Sequence, residues 1–463
     1  MASTAKNLLI HRDDLDPSTV TRGQLNRDIM HIAMPSVGEL VLSALSFMVD
    51  TMMVGHLGSW ALTAVGLSTQ PIFVLMVAFF GLNVGATALV ARMRGENDIK
   101  GMNDTLRQMI LLNGALAIIL AIVGYIFAED AVLLMGAEPQ VLAPGVSYMR
   151  IMMYAFPVNM ISMTIAACLR GSGHTKAAMY MSFTSNIFNV PLNYILIYGK
   201  LGFPAMGVAG ASLATAIALS LSFFVAIFLV TSGRYDFKLS FSDRWRVDLG
   251  ILRRIIKIGA PALWESVFMR AGILVYTRLV SHLGTVAYAT HQAGISLLNL
   301  TFMNGQAFAI AATTLVGQSL GREMPEMAKR YAKQARTMGV MVAFALSVVL
   351  FFAGGFLIQL YNTEPEVIAL GSSVLKVMAL CQPFMALVFI SSGAIKGAGE
   401  TKRPMLFTLI GICGVRPIMA LLVVFVLKGD LTALWGGLFV DYIVRTILFV
   451  TYFKKGTWLT KRI

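Results

Sequence analysis

The chain has 463 residues, of which 57% are hydrophobic and only 13% charged, and its mean hydropathy is +0.75. Soluble proteins carry about twice that share of charge, so a water-soluble fold is excluded. The formal net charge of +14 invites a nucleic-acid reading, which the placement of the charges along the chain argues against.

In chain order, residues 1–29 are polar and hold no apolar signal-peptide core. Apolar blocks then predict twelve membrane spans, near 31–56, 62–91, 108–128, 144–169, 177–199, 207–232, 258–281, 286–319, 337–360, 368–395, 404–427 and 434–453. Alternate connections are basic: RMRGENDIKGMNDTLR (92–107), RGSGHTK (170–176), residues 234–257, LGREMPEMAKRYAKQAR (320–336) and KGAGETKR (396–403). The others, at 56–61, 129–140, 282–285 and 362–366, hold no Lys or Arg. Of the 37 Lys and Arg, 29 fall in the tails and basic connections, two (Lys200 and Lys428) on the opposite side, and six in spans. This asymmetry predicts both termini in the cytoplasm and accounts for the basic excess without nucleic acid. Cys168, Cys381 and Cys413 lie within apolar blocks and read as small buried hydrophobes.

A constant offset of 226 residues aligns the two halves without a gap. It pairs Pro35 with Pro261, Glu39 with Glu265, His56-Leu57-Gly58 with His282-Leu283-Gly284, and Glu138-Pro139 with Glu364-Pro365. It also pairs Pro157 with Pro383, Gly171-x-Gly173 with Gly397-x-Gly399, and Pro191 with Pro417. The expected fold is an all-α polytopic membrane protein: two six-helix bundles related by a pseudo-twofold along the membrane normal. The organisation is a cytoplasmic tail (1–30), a first lobe (31–232), a cytoplasmic linker (233–257), a second lobe (258–454) and a cytoplasmic tail (455–463). Such repeats suit alternating access around a central cavity.

Acidic residues inside spans are few: Glu39, Asp50, Glu265 and Asp441. An intramembrane carboxylate is costly unless paired, protonated or facing water, so each is a functional candidate. Asp50 lies about 22 Å along a helix from Pro35, in the outer half of the membrane. Asn189 and Asn193, four apart on one helix face, and Thr215 on the sixth span fall at the same level. That set suits a proton, or oxygen ligands for a small hard cation such as Na⁺ at Asp50; it also suits a buried network stapling three helices.

FMVDTMMVG (47–55), FNVPLNYILIYG (188–199), LRGSGHTK (169–176) and IKGAGETK (395–402) resemble the multidrug and toxic compound extrusion (MATE) transporters of bacteria, NorM-like and DinF-like. The resemblance covers the chain from about residue 30. It implies cation-coupled efflux of organic, often lipophilic and cationic, compounds. By the resemblance Asp50 is a coupling site, and Asn189, Asn193 and Thr215 line the same cavity. Two departures stand out. Asn193 replaces an aspartate of DinF-type members, and Met269 and Met385 stand where NorM-type members carry acids.

The second lobe offers Glu265, Tyr276, Arg416 and Asp441 as candidates for a substrate cavity, together with Arg270, Arg278 and Arg445. Asp441 is the repeat partner of Thr215 and reads either as a substrate site or as an ion pair with Arg445 four residues on. Glu265 and Glu39 read as packing or gate contacts near the cytoplasmic ends. The 29 methionines suit promiscuous binding or lipid-facing filler, and Phe47, Trp264, Tyr276 and Tyr288 suit stacking on drugs.

The expected function is therefore secondary multidrug antiport of small organic substrates against H⁺ or Na⁺, without a cofactor, by a monomer in the bacterial inner (plasma) membrane. A lipid-linked oligosaccharide flippase of the same superfamily is the alternative, with Arg270, Arg416 and Arg445 facing pyrophosphate. A membrane-embedded enzyme is disfavoured by scattered histidines, and ATP-driven transport by the lack of a phosphate-binding loop.

Overall fold

A computed structural model of the chain describes residues 19–240, 245–359 and 364–461, apart from the side chains of Thr285 and Leu300. His11 and parts of both tails, of the linker and of the 362–366 connection lie outside the described residues. The helices of the first half are α1 (Arg22–Gly55), α2 (Ser59–Gly95), α3 (Ile99–Ile126), α4 (Ala128–Leu134), α5 (Pro139–Gly171), α6 (Thr175–Tyr198) and α7 (Gly207–Thr231). Those of the second are α8 (Leu249–Ser281), α9 (Thr285–Gly321), α10 (Pro325–Gln359), α11 (Pro365–Gly397), α12 (Lys402–Thr408), α13 (Arg416–Leu421) and α14 (Leu431–Lys455). Two π-helical stretches, Leu409–Val415 and Leu422–Val426, make α12 and α13 parts of one continuous helix. Among the described residues the only β pairing is an isolated bridge between Tyr235 and Phe237.

Among the described residues, eleven helices are long and apolar enough to cross a membrane, with Lys402–Val426 counted as one. α6 has the length, 24 residues, but carries Ser182, Thr184, Ser185, Asn186, Asn189 and Asn193 and is not apolar enough to join them. The chain is an all-α polytopic membrane protein, and its one long helix that reads as too polar bears site residues.

The chain divides into two compact units. One is Gly38–Ile256; the other joins the chain up to Val37 to Lys257–Ile463. The division falls inside α1, three residues past Pro35, whose ring removes a backbone donor from the helix interior. α1 also begins at Arg22, earlier than the span expected near His31. Thr21 and Gln24 cap it reciprocally, Thr21 N donating to Gln24 Oε1 (2.9 Å) and Gln24 N to Thr21 Oγ1 (3.4 Å). Buried Asp28 then accepts from the Tyr331 hydroxyl on α10 (2.6 Å), and Asn26 accepts from Gln334 (2.6 Å).

The duplication read from the sequence recurs as matched contacts within each unit. Thr87 Oγ1 on α2 donates to Ala167 O on α5 (3.1 Å), and its repeat partner Thr313 on α9 donates to Gly393 O on α11 (2.8 Å). Gly171 and Gly397 make these crossings possible. A Cβ on either would fall 2.6 or 2.3 Å from the carbonyl oxygen of Thr87 or Thr313. The linker folds back on the first unit: Gln108 on α3 donates to Arg246 O (2.7 Å) and accepts from Asp248 N (3.0 Å), and Asp236 pairs with Arg94 (3.1 Å) and His174 (2.7 Å).

Candidate functional site

Three helices of the first unit converge on one polar cluster. α6 ends at Gly199, whose left-handed φ of 67° sets the turn; a Cβ there would lie 2.5 Å from Ala205 N. The returning α7 then crosses α6 closely because Gly210 has no side chain, a Cβ there falling 2.4 Å from Leu196 O. This crossing brings Thr215 within 3.2 Å of the Asn189 amide. On the other side of the amides stands Asp50 of α1, with Asn193 Nδ2 donating to its Oδ1 (2.5 Å) and to Asn189 Oδ1 (3.0 Å). The four residues that the sequence grouped by depth are thus in direct contact. Asn189 and Asn193 are buried, while Asp50 and Thr215 are half-buried.

The Asn189 amide faces two partners. One end lies 2.5 and 3.1 Å from the two Asp50 oxygens, and the other lies 3.2 Å from Thr215 Oγ1. An amide's oxygen and nitrogen ends are told apart only by their partners. An ionised Asp50 calls for the nitrogen end, which donates to the carboxylate while the oxygen accepts from Thr215. A protonated Asp50 donates to the oxygen end, and the nitrogen donates to Thr215, whose hydroxyl donates onward to Ala211 O (3.0 Å). Asn193 Oδ1 is buried without a hydrogen-bond partner, a second oxygen held in reserve beside the carboxylate. Either protonation state of Asp50 therefore finds a partner in the Asn189 amide, although the orientation for ionised Asp50 sets the two amide nitrogens 3.0 Å apart.

Asp50, Asn193 and Thr215 form the polar edge of a cavity of about 380 Å³ within this unit. Most of the remaining wall is apolar and aromatic, including Phe47, Phe73, Met76, Tyr148, Met152 and Phe156, with Thr51, Thr69 and Asn159 as further polar groups. The sequence reading reached Phe47 but missed Tyr148, Asn159 and the α2 wall. Their signal was helical spacing: 148, 152, 155, 156 and 159 on α5, and 62, 65, 66, 69, 73 and 76 on α2, each trace one face. Among the described residues only two methionines, Met76 and Met152, line the cavity, so the methionine count carries little of the binding argument.

Of the second-unit candidates, Tyr276, Arg416 and Asp441 pack together and Glu265 stands apart. Asp441 is fully buried and accepts from Arg416 (Nε 3.0 Å, Nη2 2.6 Å) and from Arg445 (Nε 2.8 Å). Of the two readings of Asp441, the structure has the ion pair, with Arg416 as an additional partner the sequence did not supply. Arg416 is one residue beyond Val415, the repeat partner of Asn189. The π-helical stretch before it inserts an extra residue per turn and rotates Arg416 toward Asp441, the repeat partner of Thr215. Gly411 makes the room: a Cβ there would lie 2.3 Å from Asp441 Oδ1. Tyr276, the repeat partner of Asp50, is buried too and donates its hydroxyl to Leu434 O (3.1 Å). The Arg416 guanidinium lies 6.0 Å from the Tyr276 ring and 5.8 Å from that of Tyr442. Arg416 and Arg445 side chains are 7% and 3% exposed, so they are packed against Asp441 and not presented to a ligand.

Glu265 is a separate site. Lys396 Nζ (3.0 Å) and the Thr408 hydroxyl (3.3 Å) both donate to its Oε1. Glu39 is held the same way by the repeat partners Arg170 (3.1 Å) and Ser182 (3.2 Å). Each glutamate pairs inside its own unit and fixes the cytoplasm-assigned ends of its helices.

These features define a duplicated membrane bundle with an intramembrane carboxylate on the wall of an aromatic cavity. The chain matches the MatE family over residues 35–195 and 261–422, one match per repeat, and belongs to that family. Among similar proteins is "Probable multidrug resistance protein NorM" of Thermotoga maritima, 27% identical over 438 residues, covering 94% of this chain and 93% of that protein. "Multidrug resistance protein MdtK" of Yersinia pestis is 27% identical over 385 residues, covering 82% and 84%. The fold is shared with a structure described as the outward-facing conformation of a multidrug resistance MATE family transporter of the MOP superfamily. Its TM-score is 0.88 at 20% identity, covering 95% of this chain and 97% of that one.

Proposed function

We propose that this protein is a secondary multidrug antiporter that exports lipophilic organic cations in exchange for H⁺ or Na⁺ by alternating access. On this reading it works as a monomer in the bacterial inner membrane with both termini cytoplasmic, as the skew of Lys and Arg between its connections supports. The observation that carries the proposal is the shared wall: the carboxylate of Asp50, its amide and hydroxyl partners, and an aromatic cavity of about 380 Å³ are one site. An organic cation in that cavity meets the faces of Phe47, Phe73 and Phe156 and the charge of Asp50. A proton or Na⁺ on Asp50 removes that charge and turns the Asn189 oxygen toward it. Substrate and coupling ion therefore compete for one carboxylate, and the coupling is reciprocal. The carboxylate, amide and hydroxyl oxygens of Asp50, Asn189, Asn193 and Thr215 suit a hard cation as cargo, with Asn193 turning its oxygen in place of its nitrogen.

The test is ethidium transport in proteoliposomes with pH and Na⁺ gradients imposed separately. Wild type is expected to accumulate ethidium against its gradient with at least one of the two. Asp50→Asn is expected to fold and insert but lose gradient-driven transport. Undiminished coupled transport by Asp50→Asn would remove the carboxylate from the mechanism.

A further inference from the structure

Arg416 and Arg445, within spans, hold Asp441, and Arg170 and Lys396, at the ends of spans, hold glutamates. Arg150 of α5 is different. Its Nε is buried without a hydrogen-bond partner, and among the described residues its guanidinium forms no ion pair. It lies in a groove of about 530 Å³ between the end of α3, the start of α4 and α5. Its Cζ stands 5.5 Å from the centre of the Tyr125 ring, which meets Tyr154 edge-on at 5.4 Å. Ser147 adds a hydroxyl one turn away, on the α5 stripe 147, 150, 154.

The groove sits at a membrane boundary. Tyr125 is the penultimate residue of α3, so Arg150 is level with that helix's end. α5 has 33 residues, about 50 Å against a hydrocarbon core of about 30 Å, and Arg150 is about 16 Å from its first residue. That depth is within the outermost shell of hydrocarbon, where arginine reaches headgroups and tyrosine is at home. Directly along α3 from Tyr125 runs an exposed apolar stripe, Ile118 and Ile122. The repeat places a second base at the equivalent position of its own helix, the exposed Lys376, eleven residues past Pro365 as Arg150 is past Pro139.

We propose that this groove holds the headgroup phosphate of an anionic phospholipid, with Arg150 and Ser147 on the phosphate, Tyr125 and Tyr154 flanking it, and an acyl chain along Ile118 and Ile122. A fixed, unpaired guanidinium beside an apolar stripe fits a phosphate with an attached chain, where a free anion would gain nothing from the stripe. Glu129, exposed at the groove's rim, disfavours doubly charged anions and favours a single negative charge. The site is independent of the Asp50 cavity.

Native mass spectrometry of the purified full-length protein, titrated with phosphatidylglycerol, phosphatidylethanolamine or inorganic phosphate, tests this. Wild type is expected to retain one phosphatidylglycerol about tenfold more tightly than phosphatidylethanolamine. Arg150→Gln is expected to erase that difference, and Lys376→Gln to leave it intact. If Arg150→Gln is not recovered folded, the exposed Tyr154→Ala should weaken phosphatidylglycerol retention severalfold. Equal retention of phosphatidylglycerol by wild type and the recovered variant would overturn the proposal. So would displacement of the lipid by millimolar inorganic phosphate.

Discussion

The two polar clusters, built on repeat-related helices, handle a buried carboxylate in opposite ways. In the first unit Asp50 has, among the described residues, only neutral hydrogen-bond partners, two amides and through them a hydroxyl, and it opens on a cavity. In the second, Asp441 is fully buried and held by two guanidinium groups, and the repeat position of Asp50 is a tyrosine. A carboxylate in a membrane is costly unless it faces water, is protonated or has a counter-charge. The second unit supplies it covalently, as side chains of its own helices. The first unit supplies only dipoles, which leaves the charge to a mobile partner. On the proposed function this difference decides which lobe couples: a tethered cation cannot be exchanged, and a proton or Na⁺ can.

The largest expected effect breaks the tethered side. Asp441→Asn leaves two buried arginines without their carboxylate and is expected to cost about 3–5 kcal/mol, read as a large fall in thermal midpoint in detergent. Asp50→Asn, by contrast, should leave that midpoint nearly unchanged while coupled transport is lost. Equal thermal losses for the two variants would dissolve the contrast. Next in size, the first-unit residues can be grafted as a set, Arg416→Val, Asp441→Thr and Arg445→Leu together. Removing all three charges is expected to be less damaging than Asp441→Asn alone, because no charge is stranded. Gly411→Ala pushes a methyl into the space between Asp441 and Arg445, at an expected cost of about 1–3 kcal/mol measured by the same unfolding assay. Smallest, Glu39→Gln and Glu265→Gln should each cost about 1–2 kcal/mol, in similar amounts, since both largely buried pairs are equivalently built and Gln keeps an acceptor oxygen. A much larger loss for one of them would show that the repeats differ at this level as well.

Much of this was legible before any coordinates. Asp50, Asn189, Asn193 and Thr215 could be grouped because helix rise converts sequence separation into depth, and the groups that share a depth in a bundle meet. The Asp441–Arg445 pair was legible as a four-residue spacing. Arg416 was not assignable to Asp441, because a straight α-helix turns it elsewhere; the π-helical stretch that redirects it leaves no mark in hydrophobic periodicity. The start of α1 at Arg22 was missed for a related reason. Residues 22–30 are mostly polar, and they are helical because a reciprocal cap and α10 satisfy their polar groups while Leu25 and Ile29 pack into the core.

Sequence alone therefore determined that this is a duplicated, all-helical membrane protein, and which carboxylates had to be accounted for. Hydropathy, charge asymmetry and a single repeat register are one-dimensional properties, and a bilayer leaves little freedom in how they fold. What only the tertiary structure decided is which carboxylate is closed and which is open. That outcome rests on helix rotation and on close crossings at Gly210 and Gly411. The missing side chain at each sets the distance between two helices by less than a residue's width, a scale below anything periodicity can encode.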